Sequence, residues 1–157
     1  PPLFHPPLLE AAQSLMATLP TTPETRGVEN IRLIVDLSDR QVMVYQNGAI
    51  AAQYPIAIGR AGWETPTGDF TILNKQRYPQ WQHPLTGETL PPGPDNPLGT
   101  RWIGFWSDGL NQLGFHGTNE TQLIGQAVSH GCIRMHDTDI QHLYDQVDEG
   151  VPLLIRP

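Results

Sequence analysis

The sequence predicts a mainly β domain, sandwich or barrel-like, with a few short helices. Three observations carry that expectation. From Ile31 the apolar residues recur with a period of two, an Asn47-Gly48 pair stands between two extended runs, and several more short runs rich in β-branched and aromatic residues follow toward the C-terminus. At 157 residues the chain fits one domain with a sizeable core and hardly two.

The first residues depart from that pattern. Leu8, Leu9, Ala12, Leu15, Met16 and Leu19 recur at helical spacing, with Pro6 and Pro7 before them and Pro20 after. Residues 1–27 are therefore expected to form one amphipathic helix and a linker, and residues 28–157 the main domain. Ile31, Leu33, Val35 and Leu37 then alternate with Arg32, Ile34 and Asp36, a turn is expected at Ser38-Asp39-Arg40, and Val42 to Tyr45 continues in extended form. Asn47 and Gly48 both tolerate the positive φ of a type I′ turn, so Ala49 to Ile58 reads as the return strand. Phe70 to Leu73, Arg101 to Trp106, Gln112 to His116 and Val151 to Ile155 are the further strand candidates. Two helices are expected among them. Asn119 with Gln122 resembles a capping box ahead of Leu123, Ile124 and Ala127. Asp137 reads as the cap of a second helix whose apolar face is Ile140, Leu143, Tyr144 and Val147, with Gly150 as its C′ residue.

The segment from Tyr78 to Gly99 holds Pro79, Pro84, Pro91, Pro92, Pro94 and Pro97, which excludes a helix or a central strand. A connection of this length in a compact domain reads as a lid, a binding loop or disorder, and Trp81 and His83 give it groups to bind with. The competing reading is an ordinary surface excursion.

Sixteen acidic against nine basic residues give a net charge of −7, which argues against general attraction to nucleic acid or anionic lipid. No apolar run approaches the roughly 20 residues that span a bilayer. The chain opens Pro1-Pro2-Leu3 without methionine, which reads as processed or trimmed.

Cys132 is the only cysteine, so an internal disulfide is excluded. It lies in Ser129-His130-Gly131-Cys132-Ile133-Arg134, downstream of Phe115-His116-Gly117-Thr118. A thiol becomes a nucleophile when a neighbour takes its proton, and an imidazole partner lowers a cysteine's pKa. Gly131 allows a turn whose N–H groups converge on one spot, which would serve a developing oxyanion. His116, expected at the end of a strand and at a sheet edge, is placed to act as base. No Asp or Asn adjoins either histidine, so a backbone carbonyl is the candidate third member. Other readings stand beside this one. Cys132 could be a small buried hydrophobe, and either histidine a structural one. His116, His130 and Cys132 with His136 or His83 could bind zinc, although zinc-binding cysteines usually come in pairs. Ser129 lacks the glycine two residues before it that a hydrolase nucleophile elbow needs.

His116-Gly117-Thr118 and Ser129-His130-Gly131-Cys132-Ile133-Arg134-Met135 together resemble the signature of the L,D-transpeptidases of bacterial cell walls, the YkuD family. Ile58-Gly59-Arg60 and Thr65-Pro66-Thr67-Gly68-Asp69-Phe70 resemble its upstream motif, and Asp139, Leu143, Gly150 and Val151 fit the stretch after the cysteine. The likeness covers about Ile31 to Pro157. It implies the same mainly β fold, Cys132 as nucleophile, His116 as base and the Gly117 carbonyl as its orienting group. His130 and Gly131 would shape the oxyanion site. Ser129, Arg134, Trp81 and His83 are the candidate substrate contacts, with a structural salt bridge as the alternative for Arg134. Thr65 to Gly68 reads as a turn under the site. The implied reaction is acyl transfer from a peptidoglycan stem tetrapeptide, with loss of the terminal D-Ala, to an amine on another stem. The same site could pass the acyl group to water, as an L,D-carboxypeptidase, or to a D-amino acid. The resemblance implies no cofactor and no metal, reaction of the thiol with carbapenems, and a place outside the cytoplasm, in the periplasm or cell wall, after removal of an export signal. A zinc hydrolase and a non-catalytic wall-binding module are the alternatives from other classes.

Overall fold

The computed structural model describes residues 30–83 and 85–157. The helix and linker expected over residues 1–27 lie outside them. Strands β1 (Ile31–Asp36) and β2 (Gln41–Gln46) pair antiparallel, and Leu33, Val35, Val42 and Val44 share one fully buried face. The turn between them is closed by the Asp36 carboxylate, which accepts from Ser38 Oγ at 2.8 Å and from the Asp39 N–H at 2.9 Å. Strand β3 (Ala49–Pro55) returns through Asn47 and Gly48, whose φ angles of 54° and 85° are those of the expected type I′ hairpin.

The return strand does not run on to Ile58. Beyond Pro55 the chain leaves β2. Ala57 exchanges two hydrogen bonds with Arg134, and β4 (Ile58–Gly59) pairs elsewhere. Tertiary pairing thus overrides a locally continuous β pattern and carries Gly59 to Thr65 toward the cysteine turn. Strand β5 (Gly68–Thr71) is followed by a crossing, where the Ile72 N–H donates to Val151 O and the Leu73 N–H to Gly104 O. Strand β6 (Asn74–Arg77) has no apolar alternation, so no pattern announced it; it is an edge strand, where one side of the ladder meets solvent. The Pro-rich segment holds one short hairpin, β7 (Trp81–Gln82) with β8 (Thr89–Leu90).

Strands β9 (Arg101–Ser107) and β10 (Gln112–Thr118) form the centre of a second sheet. The helix expected near Asn119 is only a 3₁₀ turn, Thr121–Leu123, with no side-chain cap. Gly125 at φ 94° breaks it, and Ala127, expected on its apolar face, instead opens β11 (Ala127–Ser129), the partner of β4. Strand β12 (Ile133–His136) leads directly into helix α1 (Asp137–Gln146), and β13 (Pro152–Arg156) ends the domain. In α1, Ile140 and Leu143 are fully buried, as their spacing predicts, but the caps differ. His136 is the N-cap residue, and the Asp137 carboxylate is bonded instead to Thr100 and Gln141. Val147 turns extended after Gln146, and Gly150 lies in the following turn, its N–H donating to Ile72 O.

The first sheet runs β3-β2-β1-β13-β5 and the second β12-β10-β9-β6. Both contribute to one core: Leu33, Val35, Leu153 and Ile155 from the first; Ile103, Phe105, Phe115, Ile133 and Met135 from the second. Phe105 packs edge-on against Phe70 at 5.3 Å and Phe115 at 5.7 Å. Each such side chain, fully buried, contributes about 1.5–3 kcal/mol relative to exposure. This mainly β architecture sets β10 and β12 side by side, and those two strands carry the candidate site.

Candidate active site

Strands β10 and β12 are parallel neighbours, with His116 opposite Arg134. Cys132 immediately precedes β12 at the end of a tight turn. In that turn Ser129 Oγ accepts from the Gly131 N–H at 3.1 Å and donates to Cys132 O at 2.6 Å. Gly131 has φ 123°, a region closed to residues with a Cβ, and this lets the chain reverse before the thiol.

His116 is not at a sheet edge. It sits in an interior strand, 6% exposed, with the Trp102 indole stacked on it at 6.4 Å between centroids and 14° between planes. Its Nδ1 lies 2.8 Å from Gly117 O. A carbonyl only accepts, so Nδ1 carries the ring proton and Nε2 is left with its lone pair. Burial depresses the imidazole's pKa to about 4; the bond to Gly117 opposes this, and the charge of Arg134 adds to it. The ring is thus a neutral base across the physiological range.

The Cys132 thiol is half-buried. Burial raises its pKa above the usual thiol value, while the Gly114 N–H and the Arg134 charge pull it partly back. The expected lowering by an imidazole neighbour is therefore overturned. The resting pair is a neutral thiol and a neutral imidazole, because burial disfavours both charges.

Cys132 lies between two hollows. One, of about 450 Å³, is lined by His116, Arg134, Glu120, Asn96 and His130 among others, and the second, of about 540 Å³, by Gln76, Gln80, Gln82, Asn111 and Gln112. Trp81 borders both. Of the other candidates named from sequence, Ser129 is 2% exposed and its hydroxyl is engaged within the turn. His130 stands on the rim, its Nε2 3.2 Å from Arg60 Nη2 and its ring edge-on to Trp63 at 4.8 Å. The guanidinium can only donate, so that nitrogen is occupied as an acceptor. Arg134 Nη1 lies 4.0 Å from Glu120 Oε1, a long pairing between a half-buried guanidinium that lines the first hollow and an exposed carboxylate. His83 borders the second hollow, and its Nδ1 accepts from the Leu85 and Thr86 N–H groups, which folds its own turn.

Several contributors carried no sequence signal strong enough to assign. Thr65, read only as part of a turn, is 2% exposed; its Oγ1 donates to Gly131 O at 2.9 Å and accepts from the Gly59 N–H at 3.0 Å. Asn96, in the Pro-rich segment, is buried and bonds to Pro79 O at 2.8 Å, Pro91 O at 3.2 Å and the Leu98 N–H at 2.8 Å. The one sequence trace of this role is an asparagine amid prolines, a side-chain donor where neighbouring residues have no N–H to offer. Among the described residues there is no group of three or more His, Cys, Asp or Glu side chains arranged to hold a metal ion.

The profile of the L,D-transpeptidase catalytic domain, YkuD, matches residues 30–155. The chain belongs to this family. The YkuD protein of Bacillus licheniformis, whose name assigns it to the L,D-transpeptidases, is 34% identical over 149 residues, covering 95% of this chain and 78% of that one. The similarly named YqjB of Bacillus subtilis is 35% identical over 126 residues, covering 78% and 69%. Among solved structures, an L,D-transpeptidase from Mycobacterium tuberculosis superposes with a TM-score of 0.66 at 23% identity, over 81% of this chain and 57% of that one. One from Enterococcus faecium gives 0.67 at 23%, over 82% and 50%. At that identity the structures establish the fold of this L,D-transpeptidase domain, which spans about half of the length of each.

Proposed function

We propose that this L,D-transpeptidase domain carries an acyl group from a peptidoglycan stem tetrapeptide, through a thioester on Cys132, to an amine acceptor. The observation that supports this best is the tie between His116 Nδ1 and Gly117 O, which leaves a neutral Nε2 in the same hollow as the thiol. In this reading Nε2 takes the thiol proton as Sγ bonds to the donor's carbonyl carbon. The oxyanion forms beside the Cys132 N–H, in the field of Arg134. Collapse breaks the C–N bond to the terminal D-Ala, whose nitrogen takes the proton back from His116. The acceptor amine then attacks the thioester and gives its proton to His116, and the sulfur leaves and is reprotonated. A neutral pair suits this cycle, since charge appears only along the reaction and in a site already organised to meet it.

Arg134 is read as the partner of a substrate carboxylate, and Trp81 as the apolar wall between two peptide paths. The Pro-rich segment would act as a stiff flap that limits water and so favours an amine over hydrolysis. No described helix is long and apolar enough to cross a membrane. In this reading the enzyme works outside the cytoplasm, in the periplasm or wall. The test is incubation with purified stem tetrapeptides and mass spectrometry of the products. Release of D-Ala with formation of 3→3 linked dimers, absent with Cys132→Ala, is expected. Tripeptide alone would make the enzyme a carboxypeptidase, and no D-Ala release would overturn the reading.

A further inference from the structure

The carboxylate of Asp137 does no capping at the start of α1, and its actual position has a consequence for the catalytic histidine of the proposed function, on which this inference rests. Oδ1 accepts the Thr100 N–H at 2.9 Å, and Oδ2 accepts Thr100 Oγ1 at 2.8 Å and Gln141 Nε2 at 3.0 Å. Gln141 Nε2 also reaches Thr100 Oγ1 at 3.2 Å, which closes a ring of bonds between the start of β9 and the first turns of α1.

That ring sits against Gly117. A Cβ on Gly117 would overlap Asp137 Oδ1, and one on Gly99 would come within 2.6 Å of the same oxygen and 2.9 Å of Gly117 Cα. The Gly117 peptide is held on its other sides too. Its N–H donates to Leu98 O at 3.1 Å, and its carbonyl takes the His116 Nδ1 proton at 2.8 Å. Leu98 and Thr100 flank Gly99, so the carbonyl that takes the Gly117 N–H lies two residues from the threonine that Asp137 fixes. Leu98 also borders both hollows beside Cys132.

We infer that Asp137 is a positioning residue: by fixing Gly99-Thr100 and packing on Gly117, it aims the carbonyl that sets the tautomer of His116. It touches neither substrate nor reacting atoms. Without it the end of the Pro-rich segment and the Gly117 peptide lose their common anchor, and the imidazole can exchange its proton between nitrogens. A δ-protonated ring is a base at Nε2; an ε-protonated one presents a hydrogen where the thiol proton must go.

The test needs no substrate for its first arm. Long-range ¹H–¹⁵N spectra of the free protein at neutral pH report which ring nitrogen of His116 carries hydrogen. The wild type is expected to show a single δ-protonated ring, Asp137→Ala a mixture of tautomers, and Asp137→Asn, which keeps an acceptor for the Thr100 N–H, a largely δ-protonated ring. In the second arm, acylation by stem peptide should fall on the order of 10-fold or more in Asp137→Ala with KM little changed, and recover in Asp137→Asn. An unchanged tautomer in folded Asp137→Ala would overturn the inference, as would a pure KM effect. If Asp137→Ala does not fold, Thr100→Val, which removes one arm of the ring, is read by the same criteria. Failure of the wild type to be acylated would count against the proposed function, while the spectra would still decide the role of Asp137.

Discussion

Thr65→Val removes one hydroxyl and keeps nearly the same volume. In the native site that oxygen donates to Gly131 O and accepts the Gly59 N–H, at 2.9 and 3.0 Å, in a place where Thr65 is 2% exposed. The substitution strands two buried backbone groups, each at about 1–3 kcal/mol, so a loss of about 2–6 kcal/mol in stability is expected. Thr65→Ser keeps both bonds and gives up one methyl, for about 1 kcal/mol. Urea unfolding at fixed pH, with the slope checked to be unchanged, measures both. The same loss frees the carbonyl that precedes Cys132, so acylation should slow in Thr65→Val more than in Thr65→Ser. A Thr65→Val protein within about 0.5 kcal/mol of wild type, the usual range for an inconsequential surface change, would refute the reasoning.

The pH behaviour follows from the neutral pair. With the thiol's pKa raised, alkylation of Cys132 should keep accelerating past pH 9; a plateau below pH 7 would reveal a preformed ion pair. His116 has a folded-state pKa of about 4 against an ordinary 6.5, so the unfolded chain binds the proton first and stability falls as pH drops from 6.5 toward 4. At about 1.4 kcal/mol per pKa unit that is a contribution on the order of 3 kcal/mol, and it should vanish from the pH profile of His116→Asn. His116→Ala should slow acylation by about 10²–10⁴, with a far smaller effect of His130→Ala, whose Nε2 rests on Arg60. Stopped-flow acylation of both variants compares them, and the reverse order would exchange the roles. Trp81→Ala should raise the ratio of hydrolysis to cross-linking, measured by product analysis, because the indole borders both hollows.

Much of the fold was legible because its signals are local. The alternation around Leu33 and Val35, the Asn47-Gly48 turn and the apolar face of α1 all follow from short-range geometry, and a signature of two histidines, a glycine and a cysteine named the family. What the sequence hid depends on distant partners. Strand β6 reads as polar because it is an edge, the Asn119 turn fails as a helix because β11 must reach β4, and β3 ends early because Ala57 binds Arg134. The state of the thiol was misread for the same reason. Proximity of an imidazole is written in the motif, but the burial that keeps both groups neutral is created by Trp102 and by the sheet around them. The task of Asp137, a cap by sequence and a tether in space, belongs to the same class.

The central claim is that Cys132 becomes acylated by a stem peptide. Wild-type protein is mixed with a stem tetrapeptide, quenched in acid within the first turnover, digested and sequenced by tandem mass spectrometry. The account predicts a tripeptidyl acyl group on the peptide containing Cys132, located on sulfur, with one D-Ala released for each protein acylated and no adduct in Cys132→Ala. Turnover of the tetrapeptide without any acylated Cys132, or an adduct that persists in Cys132→Ala, would contradict it.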